Sequence, residues 1–346
     1  MKANRFTTLM IIAIFTMLAS CQTPYRMTTT INPDGSLQRK IYSPYDEFFF
    51  LPDSIIWELS NDSAKIGVFE TVVSRKFASV NNLTEGLEYD KSMQPIIAPE
   101  ENLKKHFRWF YTYYKFMAYY KNISDKIPVS ISNYLDETQQ KLWLNGDFSA
   151  HQGLSGWRLK EEMDKIESKF YNWLGQNIYK ENFKVIQQID GQSGNSPYYP
   201  KLAVTKDSLF IVIYKSTDNY DIIDDFSAKN ICHILDLHFN TNHFSMLYTD
   251  NEAAMTNTHV NKIIELASIL IEYELIMPGK IIETNAPINN HDTLVWHVDA
   301  LRFISQDFQI TAQSRTPNYW AFVVTILLIV CSVFCLRKAY RTRVIK

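Results

Sequence analysis

Glycine and proline are scarce, 10 and 12 in 346 residues, which excludes collagen-like repeats and Gly/Pro-rich disorder. No Gly-x-Gly triplet occurs, so the glycine-rich loops that cradle dinucleotides or kinase-bound phosphates are excluded. No His is followed by Glu, which removes the zinc-protease helix motif. Gly153-Leu-Ser-Gly156 and Gly191-Gln-Ser-Gly194 miss the spacing of a nucleophile elbow. No residue is therefore assigned a catalytic role, and no cofactor is expected. Charge of one sign is also missing from the total: 35 Lys+Arg against 37 Asp+Glu, a formal −2. With 46% hydrophobic and 21% charged residues, the chain falls in the globular class rather than the disordered one.

Both ends depart from that average. Lys2 and Arg5 precede an apolar run over residues 9–18, which ends in Leu18-Ala19-Ser20-Cys21. A basic start, a short apolar run and small residues before a cut describe an export signal over residues 1–20. The Cys directly after Leu-Ala-Ser resembles a bacterial lipobox, which implies lipidation of Cys21. At the other end, residues 319–336 hold no charged side chain, and Tyr319 and Trp320 stand at the entrance. Arg337, Lys338, Arg341, Arg343 and Lys346 follow without an acid. This reads as a transmembrane helix over 317–338 and a basic tail over 339–346, which the positive-inside rule keeps in the cytoplasm. The expected location is the cytoplasmic (inner) membrane, with the globular domain outside the cytoplasm.

Dividing the charge by compartment changes its meaning. The two ends carry 2 + 5 = 7 basic residues and no acid, so residues 21–318 hold 35 − 7 = 28 basic against 37 acidic residues, a formal −9. Nucleic acid is thereby disfavoured as a partner. Only Cys232 lies outside the lipidation site and the span, where Cys331 and Cys335 sit, so the exported part has no internal disulfide.

Between the anchors the pattern is α+β. Residues 25–31, the turn Asn32-Pro-Asp-Gly35 and residues 36–43 form a β-hairpin. A third strand is expected over 65–77, completing a β segment over 21–98. Residues 99–265 read as a mainly helical insertion. Leu103, Phe107, Phe110, Tyr114 and Met117 fall at the period of one helical face, giving a helix over 99–121. Asp136 with Gln139 forms a capping box that opens a helix closed at Asn145-Gly146. A longer helix starts near Trp157 and is followed by a second helical stretch through Phe183, Ile186 and Ile189. Periodicity leaves residues 209–214 open between strand and helix. Residues 266–316 are a β-meander with strands near 271–275, 280–284, 293–298 and 309–312. The fold expected is α+β: the N-terminal hairpin and the C-terminal meander in one antiparallel sheet, with the helical middle inserted between them.

TTTINPDGSLQRK after the lipobox, then MPGKIIETNAP, LVWHVDA and FQITAQSR before the span, resemble the LppM-like (DUF3153-type) membrane-anchored bacterial envelope lipoproteins. The matching positions are Pro278, Gly279, Asn285, Val295, Trp296 and Ala312. The resemblance covers about 80 C-terminal residues plus the hairpin, and leaves out the helical middle. It implies an extracytoplasmic module that contacts lipid or glycolipid, and no catalytic residue.

Two groups of residues remain as site candidates. Cys232, Asp236 and His238 are zinc-ligand types, but on a helix Cys232 and Asp236 share one face while His238 falls on another, so no metal is assigned. The segment 99–121 is aromatic and locally basic. Arg108, Trp109, Tyr113, Tyr114 and Lys115 are its candidate ligand or partner surface, and a core helix is the competing reading. The expected function is a non-enzymatic, membrane-anchored envelope lipoprotein that binds a lipid, a glycan or an envelope protein. The alternatives are a metal-dependent hydrolase using residues 232–243, or an envelope scaffold.

Overall fold

The computed structural model describes residues 24–44, 48–60, 71–192, 194, 196–217, 221–290 and 292–344. Cys21, the export signal and residues 65–70 of the expected third strand lie outside the described residues.

The N-terminal hairpin forms as the alternation dictates: β1 (Tyr25–Ile31) pairs antiparallel with β2 (Leu37–Ser43), from Ile31↔Leu37 to Arg26↔Tyr42. Gly35 closes the turn at φ +98°, a conformation open to glycine at little cost. Short strands β3 (Leu51–Pro52) and β4 (Glu58–Ser60), then β5 (Thr71–Phe77) and β6 (Leu87–Glu88), complete the first β segment. From the C-terminal part come β9 (Leu270–Ile276), β10 (Lys280–Thr284), β11 (Ile288–Asn290), β12 (Thr293–Asp299) and β13 (Phe308–Pro317). Hairpin and meander do share a sheet, in the order β11-β12-β9-β1-β2-β5-β4. That sheet is mixed, not antiparallel, because β1 pairs parallel with β9 from Tyr25↔Ile271 to Thr30↔Ile276. A parallel neighbour needs a crossover, and the inserted middle of the chain supplies it.

The expected helix over 99–121 is a β-hairpin. β7 (Glu100–Phe107) and β8 (Tyr111–Tyr120) pair antiparallel and join β10 and β13 in a second sheet, ordered β10-β13-β8-β7. The helical spacing was real, but Thr112, Tyr114, Phe116, Ala118 and Tyr120 also alternate, and this set is the one buried. Aromatic residues are mediocre helix formers and good strand formers. β13 then pairs with β8 over ten consecutive positions, from Phe308↔Tyr120 to Pro317↔Tyr111. A local window cannot see a partner two hundred residues away. The helical insertion therefore starts after this hairpin, not at residue 99, and the meander is split between the two sheets.

The two sheets face each other. Phe116 of the small sheet stacks on Tyr273 of the large one at 6.4 Å, and the Tyr114 hydroxyl donates to Pro33 O in the β1–β2 turn at 2.7 Å. Their apolar inner faces, from Met27, Leu37 and Trp296 to Phe116 and Ala312, form one core. Gly279 and Asn285 hold the chain where it passes from sheet to sheet. A Cβ on Gly279 would lie 2.3 Å from Arg315 O, and φ there is +77°. Asn285 Oδ1 accepts from Trp296 Nε1 of the large sheet at 3.1 Å and from Thr311 N of the small sheet at 2.8 Å.

The helices are α1 (Gln94–Ile97), α2 (Glu137–Asn145), α3 (Gly156–Gln192), α4 (Tyr199–Ser216), α5 (Ile222–Asp225), α6 (Ala228–Phe239), α7 (His243–Asp250), α8 (Glu252–Thr256), α9 (His259–Ser268) and α10 (Tyr319–Val344). The Asp136/Gln139 capping box opens α2, and Gly146 ends it at φ +67°. The two expected helical stretches are one helix, α3, and residues 209–214 belong to α4. α3 spans about 55 Å at 1.5 Å per residue and ties two cores together. Ile166, Phe170 and Trp173 enter the core of the sheets, whereas Ile178, Tyr179, Phe183 and Ile186 enter a second core with α4 and α6.

One polar cluster sits inside the sandwich. Arg39 on β2 is fully buried, and the Glu101 side chain of β7 is 4% exposed. The pair is bidentate, Nη2 to Oε1 at 2.5 Å and Nη1 to Oε2 at 3.1 Å. Arg39 also donates to Thr29 Oγ1 at 3.0 Å and to the Tyr273 hydroxyl at 3.2 Å, and that hydroxyl donates to Glu101 at 3.0 Å. Burial works against the guanidinium's charge, but the Glu101 carboxylate outweighs it and raises the Arg39 pKa. Burial, followed by the Glu101 charge, drives the Tyr273 phenol well above its ordinary value. The strands thus carry a neutral phenol and a charged pair across the sheet interface.

Candidate functional site at the foot of the apolar helix

The turn of the β7–β8 hairpin is Trp109-Phe110, closed by Arg108 N to Tyr111 O at 2.8 Å and Tyr111 N to Arg108 O at 3.2 Å. It does not project into solvent alone. β13 leads through Asn318 directly into α10, and Asn318 fastens the turn to that junction. Its backbone N–H donates to Phe110 O at 2.9 Å. Its side-chain amide donates to Arg108 O at 2.7 Å and Trp109 O at 3.2 Å, and its carbonyl accepts from Thr112 Oγ1 at 2.9 Å.

Above this clamp the turn lies along the first turns of α10. Trp109 Nε1 donates to Thr325 Oγ1 at 2.9 Å. Trp320 packs between Phe107 (6.3 Å, stacked) and Trp109 (5.2 Å, edge-on), and Phe322 meets Phe110 at 4.8 Å and Tyr111 at 6.0 Å. Thr325 is six residues beyond Tyr319, so the tip runs about 9 Å along the helix. Even so packed, Phe107, Trp109 and Trp320 stay 54%, 45% and 52% exposed, an aromatic collar open to its surroundings. The helix is apolar enough over Tyr319–Lys338 to cross a membrane.

Beside the collar, the outer face of the small sheet is cationic. Register places Lys280, Arg315, Tyr113 and His106 in one row across all four strands, and Glu283, Gln313, Lys115 and Lys104 in the next. Lys104 and Lys115 are directly opposite, a like-charge pair that disfavours the sheet unless an anion or solvent screens it. Arg108 lies over the Tyr113 ring at 5.4 Å and Arg315 over Tyr111 at 4.5 Å. The guanidinium groups are held in place by the rings beneath them.

Of the expected surface residues, Arg108, Trp109, Tyr113 and Lys115 therefore belong to the end of the molecule from which the apolar helix α10 starts. Tyr114 does not: it points inward, 2% exposed, and bonds Pro33. The sequence reading missed His106, Lys280, Arg315 and Asn318, which come from three strands and a junction. Only strand pairing brings them together.

The Cys232 segment is a helix, α6, as expected, but its polar groups have other tasks. Asp236 accepts from Phe244 N and Ser245 N, both at 2.8 Å, and so caps the start of α7. Burial, and next the Asp236 charge, pushes the Cys232 thiol up to about 12, the reverse of what a metal-binding thiolate needs. His238 is exposed and packs edge-on against Phe239. Among the described residues no group of three or more His, Cys, Asp or Glu is arranged to hold a metal ion.

Comparison with protein-family models, with curated proteins and with solved structures finds no match to this chain.

Proposed function

We propose that the chain is a non-enzymatic, membrane-anchored envelope lipoprotein of the LppM-like kind. In this reading Cys21 carries lipid, α10 spans the cytoplasmic membrane with its basic end inside, and the α+β domain outside binds an anionic lipid or glycolipid headgroup. The ligand surface is the collar end of the small sheet. The observation that carries the proposal is the packing of the β7–β8 tip along the first turns of α10. If α10 enters a bilayer at Tyr319, the tip enters the headgroup region with it. Trp and Tyr are favoured there because one end of each ring is apolar and the other is wet. The twenty residues of Tyr319–Lys338 reach about 30 Å, the thickness of a hydrocarbon core.

Arg108, Lys115, Lys280 and Arg315 then face the headgroup layer from one side of the anchor. A domain of net −9 is repelled by an anionic surface at long range. The covalent anchor removes the need for long-range attraction, so a local cluster of cations within a Debye length is enough for recognition.

The test uses the full chain in nanodiscs of phosphatidylcholine with one third phosphatidylglycerol. Trp fluorescence is quenched with lipids brominated at set depths, and the lipids retained after extraction are identified by mass spectrometry. Expected are shallow quenching of Trp109 and enrichment of phosphatidylglycerol that Arg108→Ala/Lys115→Ala/Arg315→Ala abolishes. A Trp109 unaffected by brominated lipid, or retained lipid matching the bulk mixture, rejects the proposal.

A further inference from the structure

A second cationic site lies at the other end of the molecule. A cleft of about 590 Å³ opens between α3, the middle of α4, residues 125–128 and the segment leading into α9. Its volume is in the range of small-ligand sites. Lys126, Lys180, Lys184 and Lys206 line it, with His259 at the rim. Two acids share the lining, Asp125 and Glu181. Glu181 is already engaged: its two oxygens accept from His259 N at 2.8 Å and Val260 N at 2.5 Å, the first free amides of α9. Asp125 alone is left against four lysines.

The four lysines come from three separate segments and meet around one concavity without an acid paired to any of them among the described residues. On the exposed faces of α2 and α3, Lys141, Lys160 and Lys165 each pair with an acid one turn away. Among the described residues none of Lys126, Lys180, Lys184 and Lys206 makes such a pair. Lys180 and Lys184 stand one helical turn apart on α3, where like charges repel. The cationic lining also continues. A smaller adjoining cleft of about 280 Å³ shares Lys126 and His259 and adds Lys91 and Lys262 around Asp90. A domain with nine more acids than bases has thus gathered four lysines around one concavity.

We infer that this cleft is a binding site for a soluble ligand bearing several phosphate groups. Lysines from α3, α4 and the 125–128 segment line the cleft and supply point charges and multiple donors, which suit phosphate oxygens better than a single carboxylate. The neighbouring cleft lets a chain of phosphates extend past Lys126 toward Lys262. The ligand is soluble and not a lipid of the anchoring bilayer. β8 runs about 30 Å from the collar at Tyr111 to Tyr120, at about 3.3 Å per residue, and the cleft begins beyond that far end at Asp125.

The experiment is isothermal titration of inorganic tripolyphosphate into the full chain held in nanodiscs of phosphatidylcholine. Saturable binding that weakens with added salt is expected, and Lys180→Ala/Lys184→Ala/Lys206→Ala weakens it at least about tenfold, since each lost charged contact is a strong one. Lys160→Ala/Lys165→Ala, on the same helix but outside the cleft, leaves it unchanged. A second readout needs no variant: tripolyphosphate should shield Lys126, Lys180, Lys184 and Lys206 from acetylation on the native chain, but not Lys160 or Lys165. Replacing one third of the disc lipid with phosphatidylglycerol should leave the affinity as it was. Absence of saturable binding, equal loss in both variants, uniform acetylation, or competition by the anionic lipid each overturns the assignment. None of these outcomes bears on the collar site, which is read by Trp109 quenching.

Discussion

The Arg39–Glu101 pair makes the sharpest demand on the architecture, because it joins the two sheets through their common core. Arg39→Met removes the cation and leaves Glu101, 4% exposed, with the Tyr273 hydroxyl as its remaining donor in the cluster. Breaking a buried pair by deleting one partner costs about 3–5 kcal/mol, mostly the penalty of an uncompensated buried charge. Glu101→Leu should cost a similar amount, with Arg39 left holding only Thr29 and Tyr273. The double variant Arg39→Met/Glu101→Leu removes both charges and keeps the volume apolar. It should recover most of the loss, so the coupling energy is at least about 2 kcal/mol, well outside the roughly 0.5 kcal/mol within which independent sites add. Urea unfolding of the full chain in detergent, followed by far-ultraviolet circular dichroism and Trp fluorescence, yields the four free energies. Additive single effects, or single costs below about 1 kcal/mol as for a solvated pair, would refute the idea that the sheets close over a desolvated ion pair.

Three other outcomes follow from particular contacts. Asn318→Ala should leave the fold intact but speed amide exchange at Phe110 and Tyr111 in the β7–β8 turn, since three side-chain bonds of about 1 kcal/mol each are lost; exchange rates equal to the parent's would show that the clamp is not needed. The Tyr119 hydroxyl, and then Asn122, hold the Asp307 carboxyl below its ordinary value of 3.8. Its folded pKa is depressed, so the stability it lends is present above that value and is lost as pH falls through the lower folded value. Asp307→Asn should therefore flatten the acid limb of the stability curve, and a limb identical to the parent's would reject the assignment. Finally, Cys232, buried and shifted up to about 12, should resist iodoacetamide at pH 8 in the native chain and react once urea opens α6. Rapid native labelling, read by mass spectrometry, would contradict the packing of the second core.

Much of the fold was legible locally. The β1–β2 hairpin, the capped helix α2, the strands of the C-terminal third and the apolar helix α10 each carry their signal within a short contiguous stretch: alternation, a turn glycine, a capping box, an uncharged run. Residues 99–121 were misread because two periodicities coexist there. Phe107, Phe110 and Tyr114 fit a helical face, while Thr112 to Tyr120 fit a strand, and the choice belongs to β13. The candidate site was half legible for the same reason. Arg108, Trp109, Tyr113 and Lys115 stand out in a short aromatic and basic stretch, but Tyr114 is turned inward by the pleat, and Arg315, Lys280 and Asn318 join only through pairing. Net charge misled in the same way: −9 describes the far field of the domain, whereas the collar and the distal cleft are local collections of cations.

By itself the sequence determined the N-terminal hairpin, the capped helix α2, the presence of an apolar helix long enough to span a membrane, and the lack of the commonest catalytic motifs, because these depend on contiguous residues. Tertiary structure alone decided that β1 lies parallel to β9, that an aromatic stretch becomes half of a second sheet, that Asp236 caps a helix instead of offering a ligand, and that lysines from three segments share one cleft. Such features depend on burial and pairing between residues far apart in the chain, where the free energy of closing the core outweighs local preference.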